Sequence, residues 1–92
     1  MSASPASLSL PERLTHGEAS ACLQALQAQA SGAGPVSIDA SALKEFDSAA
    51  LSTLLALRRW ARSQGRDLRV LRMPPRLAEL VALYGVGELL AA

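Results

Sequence analysis

Three carboxylates, Asp39, Glu45 and Asp47, crowd one short stretch of the chain, and the last is followed by a hydroxyl, Ser48. Carboxylates held close together can divide acid duty from base duty, but they need a nucleophile or a further base to work on a substrate. The sequence is poor in both. His16, the only histidine, falls in the first turn of an expected helix, where it is solvated. Cys22, the only cysteine, lies on an apolar stripe and reads as a small core residue. No His/Cys/carboxylate cluster has metal-ligand spacing, and no Gly-rich loop joins a strand to a helix as nucleotide sites require. The expectation is therefore a protein without catalytic residues, metal or cofactor.

The elements that must hold the acidic stretch can be read on either side of it. Val36-Ser37-Ile38 is a short strand ended by Asp39, and residues 40–46 form a connection anchored by Leu43 and Phe46. Asp47 is a natural N-cap for a helix over 48–64, with Gly65 as its C′ residue. Upstream, residues 7–10 make a short strand stopped at Pro11, and residues 1–6 are expected to be flexible. Thr15-His16-Gly17-Glu18 fits a capping box, with Thr15 accepting from the Glu18 N–H and Glu18 reaching back. The helix it starts, about 15–30, places Ala19, Cys22, Leu23, Leu26 and Ala30 on one stripe. Downstream, Arg69-Val70-Leu71 is a third strand, and Pro74-Pro75 open a helix to about 84. That helix turns Leu77, Leu80, Val81 and Tyr84 inward, Gly85 stops it, and residues 86–90 fold back on the core. Strand and helix alternate three times over short connections, so the expected fold is α/β: a small two-layer domain over 1–92 with a mostly parallel sheet.

Composition sets the outer bounds. Half of the 92 residues are apolar, aromatics are 3%, and mean hydropathy is +0.21, a globular balance built on Leu and Ala. One cysteine leaves no internal disulfide. The start shows no basic segment followed by an apolar run, and no apolar stretch approaches the ~20 residues of a membrane span. A soluble cytoplasmic protein is expected. Net charge is +1, divided as −3 over residues 1–57 and +4 over 58–92. The seven arginines of the second part lack interleaved aromatics apart from Trp60, so no nucleic-acid partner is expected.

On a helical wheel, Ala50, Leu54, Leu57 and Ala61 form the core face of the 48–64 helix, with Leu51 at its edge. Away from it run Ser48, Ser52, Leu55, Arg59 and Arg62, at i, i+4, i+7, i+11 and i+14. Small hydroxyls, one apolar residue and terminal arginines make a docking stripe. With Lys44 and Glu45 of the preceding connection they are the candidate partner-binding residues. Trp60 falls between the two faces, as a shield for the sheet edge or as a partner anchor.

Ile38 to Leu51 resembles the core motif of STAS domains, in which a strand ending in Asp leads to Asp-Ser/Thr-x-Gly-Leu at a helix start. The helix closing on Gln64-Gly65, the strand at 68–71 and the segment Leu77 to Val86 are similar as well, so the likeness covers about residues 7–90. It implies a non-enzymatic subunit that docks, by its helix start, on the ATPase of the Mla-type ABC transporter of phospholipids between bacterial membranes. Contact with the membrane would then run through that complex. The other branch it implies is an anti-sigma factor antagonist, bound to an anti-sigma kinase and switched by phosphorylation. Asp47 matches the motif Asp and Ser48 the hydroxyl residue after it. Ala49 stands where many antagonists carry a second Ser or Thr, and Ala50 replaces the usual Gly, which leaves Ser48 as the one phosphorylation candidate there and weighs against that branch.

Overall fold

Leu8, Ile38 and Val70 stand side by side on three neighbouring strands, all buried, and this row is the floor of the core. The structure, a computed structural model, describes residues 6–30 and 32–84. Its strands β1 (Ala6–Ser9), β3 (Val36–Asp39) and β5 (Leu68–Leu71) form a parallel sheet in the order β1-β3-β5. Period-two alternation sends Leu8, Val36, Ile38, Leu68 and Val70 to one face and Ser7, Ser9, Ser37, Asp39 and Arg69 to the other.

Two parallel crossovers stepping the same way along a sheet, both right-handed, put their helices on one face. Helices α1 (Ala19–Gln29) and α2 (Ser48–Ser63) accordingly pack against each other, with α3 (Pro75–Leu83) against α2. Sheet and helices make the two layers expected, around one apolar cluster in which Leu54, Leu57 and Ala61 of α2 are central. The expected core face of α2 is buried at every position.

The structure departs from the sequence reading in several places. Two further strands, β2 (Arg13–Leu14) and β4 (Glu45–Phe46), pair in parallel within the segments read as connections. Two residues are too few to show a hydrophobic period, and Leu14, buried, is what holds the pair down. The first helix begins at Ala19 and not at 15, because residues 16–18 form a turn. Only half of the capping box is built. Glu18 Oε1 accepts from the Thr15 N–H (2.9 Å), but the Thr15 hydroxyl donates to that same oxygen (2.7 Å) in place of accepting. Tyr84 is not part of the inner stripe. Helix α3 ends at Leu83, one residue short, and Tyr84 projects past the core edge at 56% exposure, while Leu77 and Val81 are buried and Leu80 half-buried. Ala6 already belongs to β1, and the expectations placed on residues 1–5 and on 85–90 lie outside the described residues.

Candidate partner-binding site

Asp39 begins the site. Its backbone closes the central strand, and its side chain contacts two connections, the one after β3 and the one after β5. Oδ1 accepts from the Ser41 N–H (2.9 Å), starting the loop that leads to α2. Oδ2 accepts from Arg72 Nη2 (2.9 Å) and Nε (3.1 Å), on the turn that leads to α3. These bonds, Arg72's first, hold the Asp39 carboxyl at about 2. The loop after Ser41 is tied down further along, where the Lys44 and Glu45 N–H groups both donate to the Glu12 carbonyl (2.8 and 2.9 Å).

The loop delivers Asp47 to the head of α2. Asp47 is extended, and its Oδ1 accepts from the Ala49 N–H at 2.8 Å, the expected N-cap. Its Oδ2 accepts from the His16 N–H at 3.3 Å, so the same carboxylate fastens the turn before α1 to the start of α2. Ser48, the first helical residue, is exposed beside it.

The residues expected to form a docking stripe lie on the outer face of α2, with one change. Ser48, Ser52, Arg59 and Arg62 are exposed, but Leu55 is half-buried and packs against the core cluster. Lys44 and Glu45 are exposed and carry loose ion pairs, to Glu12 (4.0 Å) and Arg13 (3.8 Å). The three carboxylates that opened the sequence reading do not converge on one another. Asp39 is bound to Arg72 and Ser41, Glu45 to Arg13, and Asp47 to two backbone N–H groups. Among the described residues no group of His, Cys, Asp and Glu is arranged to hold a metal ion.

What the sequence reading missed is the wall on the other side of the α2 start. An open cleft of about 450 Å³ separates Phe46 and Asp47 from α3, which contributes Arg76, Glu79, Leu80 and Leu83. The Arg76 guanidinium lies over the Phe46 ring, 5.3 Å from its centroid. Leu83 is 79% exposed at the rim. The signal was available: an i, i+3, i+4, i+7 set at 76, 79, 80 and 83 runs beside the core stripe of α3, and only the tertiary fold places it next to Asp47.

The turn that closes α2 is structural. The Gly65 N–H donates to Arg62 O and the Arg66 N–H to Ala61 O, the paired bonds of a Schellman turn, with Gly65 at φ 69°. The turn folds Arg66 inward to 4% exposure, where Nε donates to Gly34 O (2.6 Å) and Nη1 to Ala30 O at the end of α1. Trp60 supplies a ring face 5.7 Å from the Arg66 guanidinium and packs on the core, which favours the shielding role over the exposed anchor. Cys22, on α1, is half-buried and lines a second cleft of about 230 Å³ with Ser9 and Pro11, and burial pushes its thiol up.

Among the described residues no helix is long and apolar enough to cross a membrane. Comparison with curated proteins gave no match, and comparison with solved structures gave none. The family model described as "Mlab, STAS domain" matches residues 1–91, which include the parallel sheet, the capped α2 and the α3 beside it. The chain belongs to the STAS domain family, of the MlaB type.

Proposed function

We infer that this chain is a non-enzymatic STAS subunit that binds and supports the ATPase of a bacterial ABC transporter for phospholipids, at the cytoplasmic side of the membrane. STAS domains are generally binding and regulatory domains, and the family matched is of the MlaB type. The observation that carries the reading is the exposed line Ser48, Ser52, Arg59 and Arg62, starting from a helix end that two contacts of Asp47 fasten. A rigid, side-chain-poor helix start lets a partner approach closely, and the arginines at the far end give charge-based register. Leu55 is a poor probe of this surface, since an acid there would disturb the core as well as the face. Ser52→Arg and Arg59→Glu change exposed positions only. The tagged chain should capture an ABC ATPase from lysate of the native organism, and either variant should lower recovery about tenfold or more. Recovery of the ATPase at wild-type level by both would refute the assignment.

The exposure of Ser48 favours one second reading, a regulatory antagonist that binds an anti-sigma kinase until Ser48 is phosphorylated. A phosphate brings about −1.5 to −2 charges at neutral pH and would sit at the positive end of α2, but beside the Asp47 carboxylate and next to Ala49 and Ala50 N–H groups that already donate to Asp47. Release would therefore arise on the partner's surface. Incubation with the kinase and ATP followed by mass spectrometry decides this: an unmodified Ser48 removes the reading.

A further inference from the structure

The cleft beside the α2 start has charges that can be traced one by one. Both Asp47 oxygens are occupied by backbone N–H groups, and the Arg76 guanidinium lies on the Phe46 ring. Glu79 makes no ion pair among the described residues. The cleft thus offers an apolar floor of Phe46 and Leu80, with Leu83 at its rim and one carboxylate without an ion pair at its edge. Its volume of about 450 Å³ lies within the usual range of binding pockets, about 300–1,000 Å³, but it is an open trough that would leave a small molecule half in water. Leu83, 79% exposed, stands at its rim, and Tyr84, 56% exposed, follows it at the C-cap of α3. An apolar trough of this form suits one face of a helix.

We propose that the cleft between the start of α2 and α3 receives a partner helix bearing two apolar side chains one turn apart and a flanking lysine or arginine that pairs with Glu79. The proposal rests on reading the chain as a binding subunit, and it adds a second contact with an orientation. Arg62 lies fourteen residues beyond Ser48, roughly 21 Å along the helix, so the partner would present a cation at the cleft and acids at the other end of α2. Complementary charge of this kind fixes register and suppresses the reversed arrangement.

The test uses the full ¹⁵N-labelled chain and two synthetic amphipathic peptides of about twelve residues, three helical turns, with the same leucines and either lysine or glutamate flanks. The lysine-flanked peptide should shift amide signals confined to 46–48 and 76–84 and bind about tenfold more tightly than its glutamate counterpart. Leu83→Asp should abolish the shifts, and Glu79→Lys should reverse the preference. Both positions are exposed, so the fold should persist. If Leu83→Asp proves unfolded, the reversal by Glu79→Lys decides alone. Equal affinity for the two peptides, shifts centred on 58–62, or no shifts would overturn the proposal. So would binding to anionic vesicles through Leu83 and Tyr84 without peptide binding, which would make the patch a membrane contact. Ser52→Arg and Arg59→Glu should leave the peptide shifts at 76–84 unchanged, so failure here and failure of ATPase capture are read separately.

Discussion

Asp39 and Arg72 join the C-terminal ends of two adjacent strands through a forked contact, with Nη2 and Nε of the arginine at 2.9 and 3.1 Å from a single carboxylate oxygen. Because the other oxygen holds the Ser41 N–H, one side chain sets both walls of the cleft: the loop that ends in Phe46 and Asp47, and the turn that starts α3. Arg72 adopts φ 54°, a left-handed backbone that a non-glycine residue takes only when held there. Its side chain is anchored to Asp39 in that conformation.

Acid should release this tie. The Asp39 carboxyl is depressed from its ordinary 3.8 to about 2, first by the Arg72 hydrogen bonds and then by Ser41. A group whose folded value is depressed contributes stability that is complete above the unfolded value and lost as pH falls through the folded one. The difference in urea midpoint between the wild-type chain and Asp39→Asn should therefore be constant from pH 7 to about 5 and shrink below about pH 4. A difference that stays constant down to pH 2.5, or about that, would show that the ionised carboxylate is not the source.

At the head of α2, stability and binding can be tested apart. Asp47→Ala removes the acceptor of the Ala49 and His16 N–H groups and should cost about 1 kcal/mol, read as a lower denaturation midpoint. Ser48→Ala, one residue on and exposed, should change stability by less than about 0.5 kcal/mol. If the two variants lower ATPase capture alike while only Asp47→Ala unfolds earlier, the hydroxyl acts at the interface and the carboxylate acts as the cap.

The legible part of this protein was the part written in short-range signals. The α2 pattern pairs a strong core stripe with an Asp at one end and a Gly at the other, so its bounds could be read within one residue. Strand Val36–Asp39 was readable because Pro35 and the following polar turn isolate it. What stayed hidden depends on long-range contact. The β2–β4 pair needs its partner strand to exist, and the burial of Arg66 needs two carbonyls from more than thirty residues upstream. Thr53 is buried, at 3%, with its hydroxyl satisfied by donation to Ala49 O (2.8 Å), which a wheel of apolar residues does not register. The cleft was hidden for the same reason: Glu79 and Leu83 look like an ordinary solvated helix edge until α3 is laid beside Asp47.

Arg66 is the buried charge whose loss should be felt most. Its guanidinium meets carbonyls at the negative end of α1 and a ring face of Trp60, with no carboxylate near it among the described ion pairs. Arg66→Ala leaves two carbonyls without donors and a gap under Trp60, and should cost about 2–4 kcal/mol. Arg66→Lys should recover only part, since an ammonium cannot reach both carbonyls and lie flat on the ring. Trp60 is the only tryptophan, so its emission reports the site directly. Unchanged emission and stability in Arg66→Ala would mean that the carbonyls are satisfied by water.

Gly65 determines whether Arg66 reaches that position at all. A Cβ at Gly65 would meet nothing within 4 Å, so any cost of substitution comes from the backbone and not from a clash. At φ 69° an alanine pays roughly 1 kcal/mol that a glycine does not, while asparagine, which tolerates the left-handed region, pays less. The order of stability should therefore be Gly65, then Gly65→Asn, then Gly65→Ala, with Trp60 emission moving in the same order because the turn carries Arg66. A further comparison isolates the coupling. If the Schellman turn acts mainly by delivering Arg66, then Gly65→Ala should cost much less in an Arg66→Ala background than in the wild type. Equal costs in both backgrounds would show that the turn and the buried arginine contribute independently, with Gly65 serving only to end the helix.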